Sequence, residues 1–337
     1  MAGPVAAAGR EGLPVRAPRR RMLPYHAYRT GEAVVRVLPH RAAYGLGAAL
    51  AGTVLALRPR RFAALRSNLR HVMPEADERT LRRVMRANVR NLARSWIDVM
   101  EMAHRPDAAT RRVIPTDTEY MLGPQRRGRG VVIVSLHLGS WELGLAGWNH
   151  RFGQMALLAE VLRPRALFDH IVAARTRLGI KVIPIDVAAM RAGDAHTARR
   201  LGASAMRDVY RTLRDNGMVA VALDRDLAGT GEPLPFFGAP VPIPVGVVEV
   251  AIRTGAAIVP IVLLRGEGDE VIGQCYPEIA YDATAERGPE VRRAASEVLR
   301  LFEQVIREHP DQWHVLDSLW PASPNAGTIP AGMATAP

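Results

Sequence analysis

From about residue 128 onward, short apolar runs alternate with longer segments in which apolar residues recur every three or four positions. The β-branched runs predict strands, and the longer spacing predicts helices with one apolar face. Strands are predicted at 131–136, 155–159, 180–185, 219–223, 257–263 and, more weakly, 271–274. Helices are predicted near 141–150, 166–178, 203–215, 245–254 and 290–308. This alternation predicts an α/β fold with a mixed, mostly parallel central sheet and helices on both faces.

The chain before this region is predicted to be helical. In its longest periodic segment one face is apolar and the opposite face carries arginines four residues apart. The apolar face comprises Leu81, Met85, Leu92, Trp96 and Met100, and the arginine ladder comprises Arg82, Arg86, Arg90 and Arg94. Like charges at this spacing repel by roughly 0.2–0.5 kcal/mol per pair. Either an anionic surface relieves that repulsion, or the ladder is a solvated face in an arginine-biased protein.

The two ends differ in composition from the rest. Residues 1–21 and 321–337 are rich in small residues and proline and are predicted to be disordered. Between them we predict one domain, with a basic helical part at 22–115 and an α/β part at 116–320. Residues 186–204 resemble a polar insertion. The proline-rich stretch 229–246 could wall an apolar channel or could be a rigid loop covering the sheet edge.

Charge is distributed unevenly. Residues 1–115 contain 22 arginines and 8 acidic residues, whereas the remainder contains 23 basic and 25 acidic residues. The net charge of +12 therefore resides in the first third, which indicates an anionic partner such as lipid headgroups or nucleic acid. The longest apolar stretch, 42–57, is shorter than the about 20 residues that usually span a bilayer, and it predicts an interfacial or buried helix.

The strongest candidate for chemistry is His137, which follows a predicted strand and has Glu142 five residues later. An imidazole is a proton acceptor near neutral pH, and a carboxylate can fix its tautomer and increase its basicity. Among ten histidines, chance gives about one such pair, so a core histidine beside an incidental glutamate is an equal alternative at this stage.

Missing motifs narrow the reaction. The sequence has no Gly-x-Ser-x-Gly elbow, no phosphate-binding glycine loop ending in Lys-Ser/Thr, and no cluster with metal-ligand spacing. Its single cysteine, Cys275, makes a thiolate metal site improbable. We therefore expect neither a metal nor a bound cofactor. A lone base most simply activates a hydroxyl towards an already activated substrate such as a thioester, with backbone amides or an arginine binding the oxyanion.

Four blocks in order along the chain resemble one family. They are His137-Leu-Gly-Ser-Trp-Glu142, the segment 68–74 before the arginine-rich helix, the segments 223–231 and 235–238, and His309-Pro-Asp-Gln-Trp-His314. The first resembles the His-x4-Asp/Glu motif of the lysophospholipid acyltransferase superfamily. Together the blocks resemble its branch of bacterial lipid A lauroyl/myristoyl acyltransferases and phosphatidylinositol mannoside acyltransferases.

The resemblance implies roles for individual residues. His137 would be the general base and Glu142 would orient it, although the mannoside enzymes usually have Asp at the latter position. Glu160 and Arg175 fall where the family has charged site residues, and Arg175 would bind a phosphate or the donor. Asp224 matches a further acidic position and would orient the acceptor. Surface or structural ion pairing is the alternative for these last three residues.

These expectations define a membrane-associated enzyme. It would transfer a fatty acyl chain from acyl-CoA or acyl carrier protein to a glycolipid hydroxyl, a phosphatidylinositol mannoside or alternatively a lipid A precursor. It would lie on the cytoplasmic face of the cell membrane as a peripheral protein held by anionic lipids. The alternatives are a thioesterase using water as acceptor and a nucleic-acid-binding protein; for the latter, recognition motifs are absent and aromatic residues are sparse.

Overall fold

The computed structural model describes residues 22–153, 155–226 and 229–320, apart from the side chains at 195 and 198. The segments 1–21 and 321–337, for which disorder is predicted, lie outside the described residues. Five helices come first, with a short 3-10 turn at Pro59–Phe62 between the second and third. They are α1 (Leu23–Val37), α2 (His40–Leu57), α3 (Ala63–Val72), α4 (Glu78–Met102) and α5 (Pro106–Arg111).

Helix α4 is the long helix predicted to carry the arginine ladder. Asp77 caps its start by accepting a hydrogen bond from the Thr80 amide at 2.7 Å. Leu81 and Met85 are buried against α3, as the apolar periodicity predicts. Trp96, however, is 42% exposed. The predicted face is wrong there because the second half of α4 buries a polar stripe instead: Asn88, Asn91, Ser95 and Asp98.

A seven-stranded sheet forms the centre of the α/β part. Its strands are β1 (Val113–Thr116), β2 (Val131–Ser135), β3 (Met155–Glu160), β4 (Lys181–Ile185), β5 (Met218–Ala222), β8 (Ala257–Arg265) and β9 (Val271–Cys275), and a separate hairpin comprises β6 (Glu232–Phe236) and β7 (Ala239–Ile243). The order across the sheet is β1-β9-β8-β2-β5-β3-β4. Among the described pairings of this sheet only β8–β9 is antiparallel, so the predicted mixed, mostly parallel sheet is confirmed.

Helices cover both faces of the sheet. The remaining ones are α6 (Glu119–Arg126), α7 (Trp141–Phe152), α8 (Arg165–Arg177), α9 (Val187–Ala192), α10 (Ala195–Arg214), α11 (Gly246–Thr254) and α12 (Arg287–Glu308), with a 3-10 turn at Pro310–Gln312. Val132 and Val134 of β2 pack into a core with α10, α11 and α12. Val131 and Ile133 point the other way, into a core with α7 and α8. A strand buried on both faces explains the continuous apolar run at 131–136.

All six predicted strands are present, and their ends differ from the prediction by at most two residues. The sequence pattern did not predict β1 or the hairpin. The segment 186–204, which resembles a polar insertion, contains α9 and the first half of α10. Asp194 caps α10 by accepting from the Thr197 amide at 2.7 Å. These helical turns are polar because they lie at the surface.

Candidate active site

His137 and Asp224 leave the same edge of the sheet from neighbouring strands. Ser135, the last residue of β2, is paired in register with Ala222, the last residue of β5. Each of the two side chains stands two residues beyond its strand end, so the parallel pairing places them side by side. The chain leaves β2 through α7 on one face and returns to β8 through α11 on the other. Such a reversal at the carboxyl ends of parallel strands is the usual position of a site.

Asp224 holds His137 at two points. The Nδ1–H of His137 donates to Oδ1 of Asp224 at 2.7 Å, and the backbone amide of His137 donates to Oδ2 at 2.9 Å. Trp313 adds a third bond, from its indole Nε1–H to Oδ2 at 3.0 Å. A carboxylate can only accept, so this arrangement fixes the proton on Nδ1 and leaves a lone pair on Nε2. No described residue forms a hydrogen bond with Nε2, and the histidine side chain is 21% exposed.

The Asp224 carboxyl is ionised although it is buried. Burial by itself would raise its pKa, but the charge of His137, the two hydrogen bonds from His137 and the bond from Trp313 together hold the pKa below its usual range. A buried carboxylate bonded to Nδ1 of the imidazole can stabilise the imidazolium that forms when Nε2 takes a proton. The arrangement is therefore suited to general base catalysis.

Glu142 does not contact His137 through the hydrogen bond that the sequence analysis assumed. It lies in the first turn of α7, and both its oxygens accept from Arg175 on α8, one of them from Nε at 3.1 Å and the other from the second guanidinium nitrogen. Arg175 is 7% exposed, and a buried guanidinium requires a carboxylate partner. The structure corrects the predicted contact: the carboxylate on Nδ1 belongs to Asp224.

The other predicted site residues are also placed. Asp224 is 1% exposed and its oxygens accept from His137 and Trp313, so the structure places it behind His137, and its predicted action on the acceptor stays a prediction. Glu160 ends β3 at the same sheet edge, is partly exposed, and has no hydrogen bond or ion pair with the described residues. Arg175 is engaged with Glu142. Among residues 22–153, 155–226 and 229–320 no three His, Cys, Asp or Glu side chains are grouped to hold a metal ion.

Residues 137–140, which we call the base loop, are held by the C-terminal segment 310–314. The amide of Gly139 donates to the carbonyl of Gln312 at 2.8 Å, and the amide of His314 donates to the carbonyl of His137 at 2.8 Å. Gly139 has φ +59°, and a Cβ there would lie 2.1 Å from the carbonyl oxygen of Leu263. Only glycine fits this approach of the loop to the end of β8.

Trp313 is a site residue that the sequence analysis missed. The segment 309–314 was one of the four family-like blocks, but no role was predicted for Trp313. The signal in the sequence was the block itself, because blocks that share one family resemblance can meet at one site although they are far apart in the chain. Trp313 is fully buried and packs against Phe236 of the hairpin, with ring centroids 6.2 Å apart.

The hairpin lies in the proline-rich stretch 229–246, for which a channel wall and a rigid covering loop were the two interpretations. Leu234, Phe236, Val241 and Ile243 face inward and are buried, whereas the intervening prolines face outward. Phe236 is fully buried against Trp313 and Trp320, so its ring belongs to the core behind the site. The hairpin therefore supports Trp313 from behind, and Phe236 does not line an open channel.

An apolar stripe lies on the surface of α2. Leu46, Leu50, Val54 and Leu57 recur on one side of the helix and are 40–76% exposed. Arg41 precedes the stripe and is almost fully exposed, and Arg58 and Arg60 follow it. In the described part of the chain, no helix is both long and apolar enough to cross a bilayer. We refer to these four residues as the α2 stripe.

Known proteins resemble this chain over most of its length. Over 309 residues the chain is 29% identical to the phosphatidylinositol mannoside acyltransferase of Mycobacterium tuberculosis (strain CDC 1551 / Oshkosh), covering 87% of each chain. It is 26% identical over 294 residues to the protein of the same name from Mycolicibacterium smegmatis, covering 87% of this chain and 90% of the relative. The crystal structure of 1-acyl-sn-glycerophosphate acyltransferase PlsC from Thermotoga maritima aligns at 14% identity and a TM-score of 0.37, covering 80% of this chain and 98% of that one. Residues 13–321 match the family described as bacterial lipid A biosynthesis acyltransferase. Because this match spans most of the sequence, the chain belongs to that acyltransferase family.

Proposed function

We propose that this enzyme transfers a fatty acyl chain from a thioester donor to a hydroxyl of a glycolipid, with His137 as the general base. The observation that carries the proposal is the orientation of His137. Its Nδ1 is bonded to the buried carboxylate of Asp224, and its Nε2 is free of protein partners among the described residues. This is the geometry that a base requires to take a proton from a substrate.

The proposed reaction needs only these groups and two substrates. Nε2 of His137 removes the proton of the acceptor hydroxyl as its oxygen attacks the thioester carbonyl. The carbonyl π electrons move to oxygen and give a tetrahedral oxyanion. Its collapse re-forms the carbonyl, breaks the carbon–sulfur bond and releases the thiolate, which takes the proton from His137. Asp224 stabilises the positive imidazolium between the two proton transfers.

The first turn of α7 is suited to binding the oxyanion. The amides of Trp141, Glu142 and Leu143 donate to no acceptor within the described residues, and no side chain caps this helix end. Unpaired amides at a helix start carry partial positive charge. They lie four to six residues after His137, with the Trp141 ring 5.6 Å from the imidazole. This supports an oxyanion site beside the base.

Arg175 and Glu160 are proposed to act on the substrates from the same edge. The Glu142–Arg175 pair is nearly buried, so it is suited to fixing α8 against α7 at the site. Arg175 can still offer its remaining guanidinium hydrogens to a phosphate or to the donor. Glu160 has no partner in the described part of the chain and is free to accept from a sugar hydroxyl.

For the acceptor, we propose a phosphatidylinositol mannoside. The support is that the curated relatives at 26–29% identity bear that name over 87% of this chain. A lipid A precursor is the alternative, because the family as a whole is named for lipid A biosynthesis. The donor is either acyl-CoA or acyl carrier protein, since both present the same thioester.

We also propose peripheral attachment to the cytoplasmic face of the cell membrane. The α2 stripe supplies apolar side chains and the flanking arginines supply charge for anionic headgroups. Each arginine near such a surface contributes on the order of 1 kcal/mol. The excess of positive charge in residues 1–115 also supports attachment to anionic lipids.

One assay tests donor, acceptor and base together. Labelled palmitoyl-CoA or palmitoyl-acyl carrier protein is incubated with the protein and with vesicles containing phosphatidylinositol mannoside or a lipid A precursor, and labelled products are separated. We expect label in the mannoside lipid, and none with His137→Ala. Asn149→Ala, a buried polar change whose side chain bonds to Leu178 and Met155 outside the site, is the matched control. Free fatty acid as the only labelled product would instead establish a thioesterase, and label in the lipid A precursor alone would establish the alternative acceptor.

A further inference from the structure

The polar stripe of α4 is directed at the base loop and at the segment that holds it. Ser95 donates to the carbonyl of Gly139 at 2.8 Å. The amide of Asn88 donates to the carbonyl of Trp313 at 2.7 Å, and that of Asn91 to Asp311. These side chains are all buried. Buried polar groups are kept where their bonds fix one arrangement, and here every one of these bonds ends beside the active site.

Asp98 is the centre of this stripe and is fully buried. Its Oδ2 accepts from the hydroxyl of Ser140 at 2.6 Å and from Arg265 at 2.7 Å. Its Oδ1 accepts from the hydroxyl of Tyr44 at 2.5 Å and from Arg112 at 2.8 Å. The carboxylate thus joins α2, α4, the end of β8 and the start of α7. Removing a carboxylate and two guanidiniums from water costs desolvation free energy, and apolar side chains of similar volume would pack at least as well. Packing alone therefore does not explain this centre.

Ser140 shows what the centre does to the site. It is the N-cap of α7, where a serine oxygen usually accepts from an amide of the first turn. In this structure the hydroxyl makes no such bond and donates to Asp98 instead. Its amide donates to the carbonyl of Leu263 at 3.2 Å. The last residue of the base loop, which leads into α7, is therefore fixed from two sides, while the amides of the first turn stay uncapped.

Arg265 and Gln312 extend the centre to the other side of the base loop. The amide of Arg265 donates to the side-chain oxygen of Gln312 at 2.8 Å, and the Gln312 side chain donates back to the carbonyl of Arg265 at 3.0 Å. The carbonyl of Gln312 accepts from the amide of Gly139. Asp98 is thus one bond from Ser140 and is linked through Arg265 and Gln312 to Gly139.

We propose that Asp98 is a positioning residue for acyl transfer, which holds the base loop and the start of α7 through Ser140. It touches no substrate; it keeps His137 and the uncapped amides in the mutual arrangement that the reaction requires. The inference rests on the proposed function, because it assigns Asp98 a role in that same site. It adds a residue 39 positions before His137 that no motif of the site contains.

Ser140→Ala is the informative variant, because it deletes the one bond from Asp98 to the loop and leaves both guanidiniums paired. We expect kcat to fall about 10- to 100-fold, as a small displacement of a reacting group does, with KM for the thioester donor changed by less than about twofold. Tyr44→Phe is the matched control. It deletes the hydroxyl that donates to the other oxygen of the same carboxylate and accepts from Arg112 and Arg265. That hydroxyl makes no bond to the base loop, and both guanidiniums keep their bonds to Asp98. The variant should therefore lower the melting temperature while keeping kcat within about twofold.

Amide hydrogen exchange gives a readout that does not depend on turnover. Exchange in residues 137–144 should accelerate in Ser140→Ala and stay as in the unchanged protein in Tyr44→Phe. Asp98→Asn in the Ser140→Ala background should lower kcat by no more than Asp98→Asn alone. Equal effects of Ser140→Ala and Tyr44→Phe on kcat and exchange would overturn the positioning role. Absence of acyl transfer by the unchanged protein would refute the proposed function, whereas the exchange comparison would still decide whether Asp98 orders the loop.

Discussion

The proposed base, His137, and the carboxylate of Asp224 are 87 residues apart in the sequence and are brought together by strand pairing. Glu142 is close to His137 in sequence, but its place in the first turn of α7 turns it towards Arg175. We predict that Asp224→Asn lowers kcat about 10³-fold or more, because an amide can donate to Nδ1 and favour the wrong tautomer. Steady-state kinetics with matched circular dichroism measures this. Near-normal turnover in a folded Asp224→Asn protein would rule out the proposed dyad.

A second prediction separates the two roles open to Glu142. If it acts only through Arg175, the double variant Glu142→Gln/Arg175→Gln should be no worse in kcat and stability than the worse single variant, because each single change leaves one buried polar partner behind. Each single change should cost about 3–5 kcal/mol of unfolding free energy before solvent exposure reduces it. Denaturant unfolding and steady-state kinetics of the unchanged protein, the two single variants and the double variant give double-mutant cycles for the free energy of unfolding and for kcat.

If Glu142 instead orients His137, the double-mutant cycle should give the opposite result. A carboxylate that acts on His137 independently of Arg175 would make Glu142→Gln as harmful to kcat in the Arg175→Gln background as in the unchanged protein. Glu142→Asp, which keeps the charge on a shorter side chain, is the matched control and should retain much of the activity if the pair tolerates a change in reach.

His314 provides a pH prediction at the same scale. Burial, together with the positive charges of Arg265 and His137, lowers the pKa of this imidazole from 6.5 to about 3. The unfolded chain therefore takes up a proton below pH 6.5 that the folded protein does not. The contribution of the neutral His314 to the free energy of unfolding is fully present above about pH 6.5. It falls as the pH is lowered towards 3. From pH 7 to pH 5 the loss at this residue is about 2 kcal/mol.

The check is the melting temperature at pH 7 and pH 5, in the unchanged protein and in His314→Gln. In this interval carboxyl groups with ordinary or lowered pKa values are ionised in both states and contribute little. The variant removes the titrating group while its amide can still donate to Asn88, so its melting temperature should depend less on pH. An identical pH dependence in both proteins would contradict a buried neutral His314.

At the scale of elements, the sequence predicted what depends on local pattern. The six main strands and five helices of the α/β part follow from β-branched runs and helical periodicity. The hairpin was missed because prolines at alternate positions hide its signal, although they face solvent while Phe236 and its neighbours are buried. The polar stripe of α4 was missed because Asn88, Asn91, Ser95 and Asp98 appear solvent-facing until their partners in 310–314 are known. Long-range pairing decides both cases.

Gly139 gives the element-scale prediction, since it lets the base loop lie against the end of β8. Gly139→Ala should destabilise the protein and lower kcat by more than tenfold, because positive φ is strained for alanine and the new methyl group would require the backbone to move. Gly128→Ala is the matched control: its φ is +75°, but nothing lies within 4 Å of an added Cβ. It should cost about 1 kcal/mol and leave kcat unchanged. Equal kinetics for the two variants would show that the approach of loop and strand does not matter.

At the scale of the whole molecule, charge and apolar surface lie on the same part of the chain. The α2 stripe lies in the helical part, and the excess of arginine lies in residues 1–115 of the sequence, whereas His137 and Asp224 follow strands of the sheet. Two components of membrane binding should therefore be separable, one sensitive to salt and the other not. Charge attraction is screened over about 8–10 Å at physiological ionic strength, whereas apolar burial is not.

We predict that Leu50→Glu weakens binding to vesicles at both low and high salt, because Leu50 is 59% exposed in the middle of the stripe and its insertion contributes about 1–2 kcal/mol. Replacing the exposed Arg58 and Arg60 by Gln should weaken binding mainly at low salt and mainly to anionic vesicles. Sedimentation with vesicles of phosphatidylcholine, with and without phosphatidylinositol, measures both. Tyr120→Glu on α6, at 43% exposure, is the control for adding a negative charge to an exposed apolar position elsewhere. If it weakens binding as much as Leu50→Glu does, the α2 stripe has no special part in docking, and net charge alone governs the attachment.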